Sequence, residues 1–228
     1  MVTTKDPAAP RAIHDGGSLL DSENRGFEPE FLKVVERLER EDIADRELRA
    51  RGEEGYNPEE GYWALAPATA RLLHVLIQTV VPSRMLEVGV SHGYSTVWLA
   101  HAARLTGGHL TALEYNPRVL EIARQNLAEA GLTDQVDFVL GDARETLTTI
   151  GDEYDFMFLD CWDRLYPEIL PKAVPLLRPG GLMTTDNVDI DEPGSIEFRR
   201  LLSAYAGIET TNVPIGTGGL EITTRRQD

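Results

Sequence analysis

Asp160 and the pair Asp186–Asn187 each end an apolar run, DFMFLD in the first case and GLMTTDNV in the second. A strand that closes on an acid carries one charged side chain to the edge of a sheet, and neighbouring strands lie ~4.8 Å apart. If these two runs are neighbours, Asp160, Asp186 and Asn187 converge on one point with oxygen ligands. No His or Cys is among them, so the set suits a hard cation such as Mg²⁺, with water or substrate filling the remaining positions. A cap followed by a turn is the plainer alternative, because Asp and Asn are common loop residues. Asp163 follows Asp160 closely and has three readings. It could take the proton of a hydroxyl that a cation has acidified. It could be a further ligand or select a cationic acceptor. Or it is a surface acid or N-cap paired with Arg164, a kind of pair that contributes little.

A second group of residues looks built for a nucleotide-like ligand. Glu87-Val88-Gly89-Val90-Ser91-His92-Gly93-Tyr94-Ser95 ends an apolar run in a glycine turn and opens a helix. Gly89 and Gly93 let backbone approach a ligand, and the helix start offers free N–H groups. A dinucleotide fingerprint begun at Gly89 wants glycine at 91 and Gly or Ala at 94. Ser91 and Tyr94 stand there instead and would crowd a pyrophosphate, which weakens a nicotinamide reading. Glu114 ends HLTALE, where an acid can accept both hydroxyls of a ribose. Asp142, before Ala143, either faces an adenine amino group or caps the helix that follows. His92 touches cofactor or substrate, or is a turn residue. Trp162 walls a flat acceptor or is core, and Tyr62 and Trp63 close over the cofactor or pack between helices. Cys161 reads as a small buried side chain, and His14, His74, His101 and His109 show no zinc spacing.

The elements that must position these residues follow from the rhythm after Pro82. Short apolar runs (MLEVGV, HLTALE, VDFVL, DFMFLD, GLMTTD) alternate with helical segments at Ser95–Leu105, Arg118–Ala130, Ala143–Ile150, Tyr166–Leu177 and Ser195–Ala206. Strict alternation implies an α/β fold with a doubly wound, mostly parallel sheet. The last runs, IETTNV and LEITT, are joined by PIGTGG, too short for a helical crossover, and should pair antiparallel. Residues 1–26 read as a loose arm, 27–81 as N-terminal helices that cap the site or pair two subunits, and 82–228 as the core. Within 27–81 the spacing predicts one or two helices over Glu28–Arg51 and another over Tyr62–Val81, with Pro67 near its start.

Bulk properties narrow the partners. The chain has 228 residues and a formal charge of −16, from 38 acids against 22 bases. Such a surface repels phosphate backbones and anionic lipids, so neither nucleic acid nor membrane is an expected partner. One cysteine, the absence of a long apolar run and an N-terminus without a secretory pattern lead us to expect a cytoplasmic protein.

EVGVSHGYST, ALEYNP, LGDARE, FLDCWDRLY, LLRPGGLMTTDNV and VPIGTGGLEI occur in the order found in the cation-dependent O-methyltransferases. From about Tyr62 to about Thr224 the chain resembles these S-adenosylmethionine enzymes, similar to catechol and caffeoyl-CoA O-methyltransferases. The resemblance implies a Rossmann-like fold, a seven-stranded sheet with a reversed last strand. It implies that Gly89, Gly93 and Ser95 hold the methionine portion of the cofactor, with Glu87 and Asp160 counted in the same set. Glu114 would hold the ribose, and Asp142 with Ala143 the adenine. It implies a divalent cation on Asp160, Asp186 and Asn187, a small-molecule acceptor of catechol or vicinal-diol type, and a homodimer. The catechol-type pattern has a catalytic lysine three residues after its first metal aspartate, where this chain has Asp163. Of its lysines, Lys5, Lys33 and Lys172, none falls in a recognised motif. A metal-independent O- or N-methyltransferase and a non-catalytic cofactor-binding homologue are therefore the alternatives.

Overall fold

The computed structural model describes residues 26–227 except 53, 152, 189–192 and 217; the arm assigned to residues 1–26 lies outside them save Gly26. Helix α1 (Pro29–Arg51) and α2 (Pro67–Val80) precede an alternating series. It runs β1 (Arg84–Val88), α3 (Tyr94–Thr106), β2 (His109–Glu114), α4 (Pro117–Glu129), β3 (Val136–Leu140), α5 (Ala143–Thr146) and β4 (Tyr154–Leu159). Then come α6 (Tyr166–Leu176), β5 (Leu177–Thr185), α7 (Pro193–Leu202), β6 (Ile208–Val213) and β7 (Leu220–Arg225). The sheet order is β3-β2-β1-β4-β5-β7-β6, with β7 antiparallel to both its neighbours. The reversed last strand thus sits inside the sheet, and β6 forms the edge.

Period-two alternation divides the strands between two cores. On β4, Phe156 and Phe158 face α1–α4, together with Phe31, Leu38, Leu73 and Trp98. Met157 and Leu159 face α6 and α7, together with Tyr166, Ile169 and Phe198. Both faces are covered, so the strands are apolar runs rather than alternating ones.

The first helix, expected as one or two over Glu28–Arg51, is one, from Pro29 to Arg51, and stops at Gly52 in a left-handed C-cap, φ 62°. Other helix boundaries differ from the sequence expectation. The second helix begins only at Pro67, in the first turn, where proline's missing N–H costs nothing. Tyr62 to Ala66 is instead irregular and lies over the carboxyl ends of the central strands. Helix α5 ends at Thr146 rather than Ile150, because 147–150 close in hydrogen-bonded turns.

Candidate active site

Chain order reverses between β1 and β4, and a cavity of about 740 Å³ opens over the carboxyl ends of the strands there. Its wall includes Gly89, Ser95, Glu114, Asp142, Ala143, Asp160, Asp163, Asp186 and Asn187. Glu87 and Gly93 stand behind that wall.

Gly89 has φ 96°, and a β-carbon there would overlap the Asp160 carbonyl. The approach is tight because Asp160 N donates to Val88 O at 2.8 Å, prolonging the β1–β4 ladder past the strand ends. Gly89→Ala is expected to cost roughly 3 kcal/mol or more, through overlap and a left-handed backbone. Urea unfolding checks it; a midpoint within error of wild type would contradict this packing. Gly93, φ 86°, packs on Ala123 of α4. Ser91 takes a left-handed conformation, φ 49°, without being glycine. What holds it is Glu114. One carboxylate oxygen accepts Val90 N–H at 3.1 Å and Ser91 N–H at 3.0 Å, and the other accepts Tyr115 N–H and Asn116 N–H at 2.9 Å. Those four donors match the carboxylate's lone-pair capacity.

Glu87 is fully buried, and its Oε1 accepts Ser95 Oγ at 2.6 Å. Burial raises its carboxyl to about 8, with the Glu114 charge adding. It is therefore largely protonated at neutral pH. Asp142 is the N-cap of α5, accepting Arg144 N–H at 2.8 Å. The Arg144 guanidinium also lies on both its oxygens and holds its carboxyl below the ordinary value. Capping and a place on the cavity wall thus coincide in one residue.

At the other end of the cavity β4 and β5 are parallel neighbours in register, Leu159 opposite Thr185. Asp186 N donates to Leu159 O at 2.9 Å, and Tyr166 Oη donates to Asp186 O at 2.7 Å. Asn187 is left-handed, φ 55°, and its Nδ2 donates to Asp160 Oδ1 at 3.5 Å. Burial, then the Asp186 charge, hold the Asp160 carboxyl well above the ordinary range, and burial raises Asp186 to about 7. Two carboxylates and an amide therefore meet, with the acids repelling each other. Asp163 is half-buried at the start of a short 3₁₀ turn, and its Oδ1 accepts the Arg164 N–H at 2.7 Å. Arg164 stacks over Trp162, 5.1 Å from the ring centroid, and makes no ion pair among the described residues. Burial and the Asp160 charge push the Cys161 thiol up, which keeps it an unreactive thiol.

The family model for O-methyltransferases matches residues 46–192, well over half of the chain. The chain belongs to the O-methyltransferase family. The catechol O-methyltransferase of Mycobacterium tuberculosis is 31% identical over 162 residues, 66% of this chain and 73% of that protein. The catechol O-methyltransferase of Niastella koreensis is 33% identical over 164 residues, 65% of this chain and 74% of that one. The O-methyltransferase TomG of Streptomyces achromogenes, solved in complex with S-adenosylmethionine, aligns with a TM-score of 0.73 at 26% identity, covering 92% and 95% of the two chains. This methyltransferase is accordingly an enzyme of the S-adenosylmethionine-dependent class. Among its described residues no helix is long and apolar enough to cross a membrane.

Tyr62 and Trp63 line the methyltransferase's cavity, as one of the two sequence readings had them; the contacts that hold them there were not expected. Asp42 of α1 accepts Ala64 N–H at 3.2 Å, and Arg46 donates to Ala64 O at 3.2 Å. Arg49 donates to Tyr62 O at 3.4 Å and lies 3.9 Å over Trp63. The helix thus clamps this segment across the glycine turn, where Tyr62 stacks on His92 with centroids 3.8 Å apart. Trp63 meets Trp162 edge to face at 5.4 Å. The pairs Asp42–Arg46 and Asp45–Arg49 are four residues apart, a spacing legible in the sequence as helix-face ion pairs. Their role against residues 62–64 was not. His74 and His101 do meet, Nε2 to Nδ1 at 2.8 Å, but as a hydrogen-bonded pair in the core. No group of three or more His, Cys, Asp or Glu suited to a metal occurs among the described residues. The Asp160–Asp186–Asn187 set escapes that count because one donor is an amide.

Proposed function

We propose that this methyltransferase moves the methyl group of S-adenosylmethionine to one hydroxyl of a small molecule with two adjacent hydroxyls, a catechol or vicinal diol. A divalent cation, Mg²⁺ in the first instance, would sit on Asp160, Asp186 and Asn187. The observation that carries this reading is the convergence of two mutually repelling carboxyl groups and an amide side chain at one end of a cavity whose other end is the glycine turn. With the Asn187 amide turned so that its oxygen replaces Nδ2, the donor set would be all oxygen, as a hard cation prefers. Seven carboxylates and four arginines line the cavity, an excess of negative charge that a sulfonium and a divalent cation would offset. The names of the two catechol O-methyltransferase relatives support the acceptor class.

Gly89 and Ser95 would meet the methionine portion, with Gly93 shaping the turn behind them. Glu114 would take the ribose hydroxyls by exchanging some of its four backbone donors for them, and Ala143 and Asp142 would take the adenine. A bound divalent cation would lower the pKa of a chelated hydroxyl and fix its position. Trp63 and Trp162 would flank a flat acceptor and exclude water. Asp163 Oδ2, which accepts no hydrogen bond among the described residues, would take the hydroxyl proton as the new oxygen–carbon bond forms. The sulfur–carbon bond breaks in the same step and leaves S-adenosylhomocysteine. A carboxylate is a weak base and serves only for an acidified hydroxyl, so Asp163 in the lysine's position and the cation belong together.

Methyl transfer to catechol, followed by chromatography with Mg²⁺ or with chelator, tests the reading. Activity is expected with the cation and not with chelator. Asp163→Asn should lower kcat by about 10²–10⁴-fold, the usual contribution of a general base. Turnover unchanged in Asp163→Asn at every pH would remove Asp163 from the mechanism, and turnover unchanged in chelator would remove the cation.

A further inference from the structure

We infer that Asn212 and Glu221, neither of which reaches the cavity, are positioning residues for the cation site, holding the Asp186–Asn187 turn through the backbone of Val188. The inference rests on the cation reading above and deepens it.

Asn212 lies on the edge strand β6, opposite Glu221 of β7, and Glu221 is in turn opposite Thr185, the last residue of β5 before Asp186. The Asn212 Nδ2 group carries two hydrogens and uses both. One goes to Val188 O at 3.0 Å, the other to Glu221 Oε2 at 3.0 Å. Glu221 is fully buried; its Oε1 accepts Thr210 Oγ1 at 2.6 Å, and Arg199 Nε of α7 stands 3.3 Å from Oε2. Desolvating a carboxylate there costs several kcal/mol, and a hydrocarbon side chain would pack more cheaply. What the carboxylate provides is direction. As an acceptor it admits only the nitrogen of the Asn212 amide, so that nitrogen also faces Val188 O.

The hairpin between β6 and β7 closes on the same residue from the other side. Val188 N donates to Gly219 O at 3.3 Å. A β-carbon on Gly219 would stand 2.8 Å from Asn212 Oδ1, and one on Gly218 would stand 2.9 Å from Asn187 Cα. Val188 is therefore gripped at both its amide and its carbonyl. Asn187 precedes it in a left-handed conformation, which asparagine adopts at less cost than other non-glycine residues and which the grip on Val188 selects. Loosening Val188 lets that conformation relax and swings the Asn187 side chain away from Asp160.

Mn²⁺ titration followed by electron paramagnetic resonance, on protein saturated with S-adenosylhomocysteine, tests this in wild type, Asn212→Ala and Glu221→Gln. Both variants are expected to bind Mn²⁺ about 10–100-fold more weakly, the usual cost of losing an outer partner of a ligand. S-adenosylhomocysteine affinity should stay within about twofold of wild type, since the Kd of the glycine turn does not depend on Val188. Thr211→Ala, on the same strand but exposed, should leave both affinities unchanged. Folded variants that bind Mn²⁺ as wild type does would overturn the inference while leaving the cation site standing. Parallel loss of both affinities would also overturn it, since that is general loosening. Wild type that binds no Mn²⁺ would sink the cation reading itself. Should Asn212→Ala fail to fold, Glu221→Gln, which keeps size and shape, carries the test alone.

Discussion

Asp186→Asn is expected to raise the melting temperature of the cation-free protein at pH 8 and to abolish its response to Mg²⁺. Burial moves the Asp186 carboxyl from 3.8 to about 7 in the folded chain. A carboxyl whose pKa is raised on folding holds its proton more tightly in the native state. It therefore weakens stability as pH climbs from its unfolded value through its folded one, and the whole cost is present above pH 7. A shift of that size corresponds to roughly 4 kcal/mol, and part of it belongs to the Asp160 neighbour rather than to Asp186 alone. About 2 kcal/mol recovered on neutralising one acid would raise the melting temperature by ~4–8 °C in a chain of this length. At pH 4 the gain should largely vanish, because the wild-type Asp186 carboxyl is then protonated and, like asparagine, uncharged in the native state. Scanning calorimetry at the two pH values with chelator present measures it. A lower melting temperature for Asp186→Asn at pH 8 would mean that the carboxylate is stabilising where it stands, and that the repulsion inferred here is absent.

The second large effect has the opposite sign and lies in the core. Gln78 Nε2 donates to His74 Nδ1 at 3.0 Å, which leaves the His74 proton on Nε2. That proton goes to His101 Nδ1 at 2.8 Å, and the His101 Nε2–H to Glu28 at 2.9 Å, which Arg104 also holds at 2.7 Å. One set of tautomers satisfies the whole chain, and it is neutral at both imidazoles. Burial among Phe27, Trp98 and the His101 ring, with the His101 and Arg71 charges adding, lowers His74 to about 4. Burial also lowers His101, against the opposing pull of Glu28. A base with a depressed native pKa is under-protonated when folded. Its contribution is complete above the unfolded value near 6.5 and is lost as pH falls toward 4. For His74 the loss amounts to about 3 kcal/mol. The relay joins α1, α2 and α3, so acid should loosen the helix that roofs the cavity. His74→Gln, which can still donate to His101, is expected to flatten the fall in urea midpoint between pH 7 and pH 4.5. A fall as steep as in wild type would place the acid sensitivity elsewhere. In wild type the two linkages oppose each other across the same window, so Asp186→Asn should also steepen the loss of stability toward acid.

Most of the fold was legible because it depends on patterns confined to neighbouring residues. Apolar runs of five or six residues between helical stretches specify a parallel sheet. PIGTGG is too short to cross over, which leaves reversal as the way to place the last strand. Pro67 and Gly52 mark helix ends for reasons of backbone geometry alone. The sequence reading nonetheless began the second helix at Tyr62. Tyr62 to Ala66 has a helix-compatible composition, and what holds it irregular is the Asp42–Arg46–Arg49 clamp from another helix together with the His92 ring.

The chemistry of the site divides along the same line. The residue types themselves, an acid closing each of two apolar runs, a glycine turn before a helix and Asp163 where a lysine is usual, marked the candidates for oxygen donors, cofactor end and base without any structure. The sequence also held the family resemblance that the comparisons then bore out. Which charges face one another was decided in three dimensions. Glu114 meets the backbone of Val90 and Ser91 across the β1–β2 boundary, and Asn212 on the edge strand reaches Val188. Those contacts depend on register and strand order, which place residues tens of positions apart within 3 Å, and no local pattern encodes a distance of that kind. Burial, too, comes from the assembled core, and it is burial that moves Glu87, Asp160 and Asp186 away from the protonation states their residue types alone would have.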